Sequence, residues 1–244
     1  QVRRLRQPRY ALATAVGLVG RLADHEATWP SIDAAADLVV ECLAGHGTVH
    51  AFGTGHSHML AEELFYRAGG LVAVRPILFD ALMLHSGAAR STALERLPGL
   101  AAILLDDHGV CPGDVLVVAS NSGGNAVSCE LAQEARSRGL RVIAVTSMQH
   151  ATSTTARAAS GPRLHEIADV VIDNGGVPGD AAVAVAGAPH PVGPTSTVVG
   201  AAIVNAVAAE AVERLVALGH VPATYASANL AGGDEHNAAL GVRP

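Results

Sequence analysis

Two short segments carry the residue types that can hold a phosphate monoester without any ammonium group. Gly53-Thr54-Gly55-His56-Ser57 and Ser120-Asn121-Ser122-Gly123-Gly124-Asn125 each follow an apolar, β-branched run and each precede a stretch with helical spacing. Small residues where the chain leaves a strand, and hydroxyls where a helix begins, gather three kinds of donor around one point: free backbone N–H groups, the positive end of a helix and O–H groups. The glycines permit positive φ and a close approach of the backbone to a ligand. A tight turn with a capping serine explains either segment alone equally well. Two of them, on the two plainest strands, favour an anion site. A dinucleotide site fits less well, because G-x-G-x-x-G would need glycine at 58, where His58 stands.

Composition sharpens this. All 16 basic residues are arginine. The chain therefore has no Schiff-base lysine, no lysine general base and no Walker-type phosphate lysine. A net charge of -6 argues against broad nucleic-acid binding, which needs clustered cations. Half of the 244 residues are hydrophobic but only 3% are aromatic, so a sizeable core must be built from Ala, Val, Leu and Ile. No uninterrupted apolar run reaches membrane-spanning length, and no membrane partner is expected. The basic opening QVRRLRQPRY leads into an amphipathic stretch and not into an apolar signal core, which places the expected location in the cytoplasm. Cys42, Cys111 and Cys129 are odd in number and far apart, as expected of reduced, mostly buried thiols.

The elements that must position the loops follow from hydrophobic period. Residues 1–8 read as a disordered arm, 9–26 as a helix, and 32–44 as a second helix capped by Ser31. Strands are expected at 48–52, 71–77, 114–120, 141–147 and 168–174. Helices are expected after the first loop, over 94–107, over 126–138 and over 195–218. The stretch 80–90 reads as a loop with a helical turn, 175–194 as a Gly/Pro-rich connector or lid carrying His190, and the tail after 222 has no clear period. Apolar strands alternating with helices imply a parallel sheet covered on both faces. Residues 1–46 are read as N-terminal helices packed on the same domain, and 47–244 as the ligand-binding domain.

On these residues the chain resembles the SIS (sugar isomerase) domain family. The resemblance spans roughly residues 32–220, and G-T-G-H-S (53–57) with S-N-S-G-G-N (120–125) are its most specific pieces. It implies an α/β fold, a three-layer α/β/α sandwich whose five-stranded parallel sheet has the order 2-1-3-4-5, with extra N-terminal helices here. It also implies that the loops after strands 1 and 3 hold a sugar phosphate, at the switch point where a crevice opens. Carried over position by position, Ser57, Ser120, Asn121, Ser122 and Asn125 contact the phosphate, Asn125 standing where relatives often have Thr. Gly55 and His56 join them as substrate-binding candidates by their place in the first loop. The N-terminal helices and the G-G-D-E-H-N tail (232–237) look like a little-characterised branch of phosphosugar-binding proteins.

Catalysis would need a base near C1 and C2 of the sugar. His58 and Glu62 are four residues apart and share a helix face, with Glu63 about 100° round. The resemblance implies a glutamate on this helix, though further along in several relatives; Glu62 and Glu63 are the candidates. It also implies a homodimer or higher homo-oligomer in which an acid or histidine of the partner completes each site, a role expected of Glu235 or His236. Histidine can transfer protons in either direction near neutral pH. His85, near Asp80 in the loop after the second strand, is expected to line the crevice. His56 and His58 lack a convincing third ligand, so neither a metal nor a cofactor is expected.

The expected function is a phosphosugar enzyme that removes the C2 proton of an aldose or amino-sugar 6-phosphate, with an N-acetylglucosamine 6-phosphate type of substrate favoured. Isomerisation and elimination are equally open. The alternative is a non-catalytic phosphosugar sensor, without a basic helix for reading DNA.

Overall fold

A computed structural model describes residues 8–24, 26, 28–153 and 161–241. Of the arm expected at 1–8, all but Pro8 lies outside the described residues. In chain order the elements begin with α1 (Pro8–Asp24), α2 (Trp29–Ala44), β1 (Val49–Gly53), α3 (His58–Leu64), β2 (Val74–Ile77), α4 (Ala88–Leu94), α5 (Ala101–Asp107) and β3 (Val115–Ala119). They continue with α6 (Ala126–Ser137), β4 (Arg141–Thr146), α7 (Met148–Ser153), α8 (Leu164–Ile167), β5 (Val170–Asp173), β6 (Ala181–Val183), β7 (Val192–Pro194), α9 (Ser196–Ala217) and α10 (Gly233–Ala239).

Five strands form one parallel sheet in the order β2-β1-β3-β4-β5, as expected, and β6 pairs with β7 in a separate antiparallel ribbon. Side chains alternate across each strand. Val115, Val117 and Ala119 of β3 therefore join one core with α2, α3 and α9, while Leu116 and Val118 join a second with α5 and α6. Ala, Val, Leu and Ile dominate both, as the scarcity of aromatics requires. The N-terminal helices belong to the first core through Leu18, Ile32, Ala35, Ala36 and Val39. Against α3, α9 comes so close that a Cβ on Gly200 would lie 2.6 Å from Leu60 Cδ2. No helix among the described residues is long and apolar enough to cross a membrane.

Several local expectations differ from the structure. Helix α2 begins at Trp29 with Pro30 in its first turn, so Ser31 lies inside the helix and does not cap it. Of the helix expected over 94–107 only α5, Ala101–Asp107, forms beyond Leu94, the last residue of α4, and Pro98 and Gly99 stand in the gap between them. Strand β2 starts only at Val74; before it, residues 69–72 pair antiparallel with 223–225 of the tail. That pairing hangs α10 at the amino edge of the sheet. Cys42 and Cys129 are buried, but Cys111 is exposed.

Inside β1 sits a polar group that the apolar reading passed over. His50 is 2% exposed and its Nε2 lies 3.1 Å from Asp114 Oδ2. The Asp114 carboxylate also accepts the Thr48 and Cys111 amides at 2.8 Å each. Burial lowers the His50 pKa below its ordinary 6.5, outweighing the pull of Asp114; burial lowers that of His150 as well. A histidine whose pKa is lower folded than unfolded binds more protons when unfolded. Its stabilising contribution is therefore present above the unfolded pKa and lost as pH falls below it. Thermal melting should show a lower Tm at pH about 5.5 than at about 7.5. His50→Gln should remove part of that fall, and an unchanged pH slope in the variant would refute the assignment.

Candidate functional site

The two loops leave neighbouring strands in register, since Gly53 of β1 pairs with Ala119 of β3. Adjacent strands lie about 4.8 Å apart, so Thr54 and Ser120 enter the same region at the carboxyl edge. Because β2 lies beyond β1 and β4 beyond β3, the loops flank the switch point of the sheet.

In the first loop a single turn of 3₁₀ helix, Gly55–Ser57, precedes α3. Gly53 is required there: a Cβ would sit 2.4 Å from the carbonyl carbon and oxygen of Ser57. Gly55 has φ +56°. Ser57 is half-buried, His56 exposed, and the Ser57 hydroxyl has no hydrogen-bond partner among the described residues.

Asn125 stands at the N-cap of α6 in the second loop, and its side chain makes no capping bond. The Ser122 hydroxyl is likewise uncommitted, as are the backbone amides of Ser122, Gly124 and Asn125 among the described residues. Ser120 is buried and its Oγ accepts the Gly123 amide at 3.2 Å. Asn121 is braced from two neighbouring loops. Its carbonyl accepts Ser147 N at 3.2 Å, and its Oδ1 accepts Asn174 Nδ2 at 2.9 Å. Asn174 Oδ1 accepts Gly176 N at 2.9 Å, and Ser147 Oγ donates to Gly176 O at 2.6 Å. The loops after β4 and β5 thus set the shape of the loop after β3.

Of the candidate acid–base groups, one pair adjoins the loops. The Nδ1 of His58 lies against the Gly55 carbonyl, an acceptor only, so Nδ1 carries the hydrogen and Nε2 faces Glu62 Oε2 at 3.5 Å. The His58 ring meets exposed His85 edge-on at 6.3 Å, which brings the loop after β2 to the same place. Glu63 turns away toward Arg67 and toward Asn205 of α9, whose Nδ2 donates to it at 2.6 Å. Glu235 and His236 are exposed on α10, and His236 Nε2 donates to the Thr224 carbonyl at 2.9 Å, at the amino edge. Within one chain they do not join the loops.

Sequence reasoning passed over Glu95, which follows α4. Its Oε2 accepts the Thr54 hydroxyl at 2.7 Å, and its carbonyl accepts Val127 N, in the first turn of α6, at 3.2 Å. A lone glutamate with no motif spacing gives no signal in sequence. Its significance comes only from linking the first loop to the first turn of α6. His150 was also passed over; burial lowers its pKa, and the Asp180 carboxylate opposes that effect. Among the described residues no three His, Cys, Asp or Glu gather closely enough to hold a metal ion.

A UPF0309 protein of Listeria innocua is 44% identical over 225 residues, spanning 92% of this chain and 90% of that one. Among solved structures, a phosphoheptose isomerase from Francisella tularensis superposes with a TM-score of 0.54 at 18% identity, covering 83% of this chain and 95% of that chain. The sugar isomerase domain of an RpiR transcription factor from Sphaerobacter thermophilus gives 0.50 at 18% identity, covering 86% and 92%. At such identities these two likenesses concern the fold. The sequence model of the SIS domain matches residues 17–147, both loops included. With that match, the order of its sheet and the close Listeria relative, the chain belongs to the SIS domain family.

Proposed function

We propose that the protein is an enzyme that seats the phosphate of a sugar 6-phosphate between the two loops and removes the proton at C2 of the open-chain sugar. The observation that carries this reading is the convergence, from in-register neighbouring strands, of uncommitted hydroxyls and amides beside the His58–Glu62 pair. Gly55, His56, Ser57, Ser120, Asn121, Ser122 and Asn125 form the binding set, with Asn121 acting through the braced loop. Glu62, beside His58, takes the C2 proton. From an aldose the resulting enediolate leads to the ketose if C1 is protonated; from an N-acetylated amino sugar, which has no O2, the enolate leads to a dehydrated sugar as the C3 hydroxyl departs. N-acetylglucosamine 6-phosphate is the favoured type of substrate, and the phosphoheptose isomerase among the structural neighbours supports the class.

We propose further that the enzyme works in the cytoplasm as a homodimer, in which α10 of one copy brings Glu235 and His236 to the crevice of the other. The free cysteines are compatible with a reducing compartment. A sensor without catalysis is the second reading. It is favoured by the separation of Glu63, Glu235 and His236 from the loops within one chain, and by the regulator among the neighbours.

The test is incubation with hexose and amino-hexose 6-phosphates in D2O, followed by NMR. Loss of the C2 proton signal is expected, and Glu62→Gln should slow it about 10²–10⁴-fold with phosphosugar affinity kept. A wild-type protein that binds a phosphosugar and exchanges none would leave the sensor.

A further inference from the structure

We infer that Glu95 is a second catalytic carboxylate of the crevice, moving protons on and off the substrate's oxygens while Glu62 serves carbon 2. This inference rests on the phosphosugar reading above.

The chemistry requires a second group. When the C2–H bond breaks, the proton goes to Glu62, the electron pair forms the C1–C2 double bond, and the C1 carbonyl oxygen becomes an oxyanion. With an aldose such as glucose 6-phosphate, isomerisation then needs O1 to gain a proton and O2 to lose one while C1 takes its proton from Glu62. In elimination the oxyanion's electron pair restores the C1 carbonyl, the C1–C2 pair moves to form a C2–C3 double bond, and the C3–O bond breaks with its pair on oxygen, so the departing hydroxyl must gain a proton to leave as water. In both routes an oxygen exchanges a proton at a moment when Glu62 is occupied. His58 Nδ1 is committed to the Gly55 carbonyl, and within one chain His236 and Glu235 sit at the other edge, so that in the proposed dimer they reach this crevice only from the second copy.

Glu95 meets the requirement. Its backbone is pinned at both ends, the amide donating to Ser91 O at 3.0 Å and the carbonyl accepting Val127 N. The Thr54 hydroxyl, itself 7% exposed, fixes Oε2 at 2.7 Å. Oε1 has no partner among the described residues, and the side chain is half-buried against Thr54, at the origin of the first loop. Any neutral acceptor would satisfy Thr54. A carboxylate beside an anion pocket opposes the phosphate, so it adds nothing to binding and is suited to proton transfer.

The experiment compares wild type, Glu95→Gln and Glu62→Gln, with glucose 6-phosphate and N-acetylglucosamine 6-phosphate as probes. Binding is read by calorimetry, C2 hydrogen exchange and product formation by NMR in D2O. Gln keeps an acceptor for Thr54 and leaves the backbone bonds intact. Glu95→Gln is expected to bind the probe at least as tightly as wild type and to keep C2 exchange within about tenfold. Product should fall about 100-fold or more, so the ratio of exchange to product rises, whereas Glu62→Gln loses both together. An unchanged ratio in Glu95→Gln would overturn the inference and leave the reading intact. So would a joint loss of binding, exchange and product, which marks a brace and not a catalyst. A wild-type protein that binds neither probe, or binds without exchange or product, would overturn the reading and the inference with it.

Discussion

Gly53→Ala is expected to abolish phosphosugar binding and to destabilise the fold by about 3 kcal/mol. The added Cβ would meet the Ser57 carbonyl carbon and oxygen at 2.4 Å and His58 N at 2.8 Å. These are backbone atoms, so no rotamer change relieves the clash; the 3₁₀ turn and the start of α3 must move. Moving them displaces the Ser57 hydroxyl and disturbs the His58–Glu62 pair. Urea unfolding and calorimetric titration with N-acetylglucosamine 6-phosphate check the two effects separately. Binding within about twofold of wild type would mean that the geometry of the first loop does not matter to the ligand.

The double change Ser120→Ala and Ser122→Ala is expected to weaken phosphosugar affinity about 100-fold or more. Hydrogen bonds to a charged group contribute about 1.5–3 kcal/mol each, and about 1.4 kcal/mol is a factor of ten. The two serines should differ in their effect on stability. Ser122 is half-buried with an uncommitted hydroxyl, so its loss should leave Tm almost unchanged. Ser120 is buried and accepts the Gly123 amide, so its loss leaves a donor unpaired and should lower Tm measurably. Affinity that survived both changes would remove the second loop from the site.

Much of this architecture was legible in the sequence because local period and turn chemistry determine it. Strand β3 announces itself as five consecutive apolar residues between Asp114 and Ser120, all buried. The loops could be read for the same reason, with small residues and hydroxyls in short, contiguous segments. What stayed hidden depends on partners distant in sequence. The shortened start of β2 follows from the pairing of 69–72 with 223–225, and α10 is held by contacts such as Asn237 Oδ1 accepting Ala226 N at 2.9 Å. His50 reads as one polar residue in an apolar strand because Asp114 lies 64 positions away. The Thr54–Glu95 bond spans 41 positions, and Asn174 reaches Asn121 across 53. The break at Pro98-Gly99 was available locally, since the residue before proline avoids helix, and the apolar spacing across it obscured that signal.

The most direct test of the site is an NMR titration of ¹⁵N-labelled protein with N-acetylglucosamine 6-phosphate, alongside the same sugar without its phosphate. The phosphorylated sugar is expected to shift the backbone amides of residues 54–58 and 121–126 first and most, and the plain sugar to leave them in place. Those amides standing still while signals elsewhere move, or both sugars acting alike, would contradict a phosphate held between the two loops.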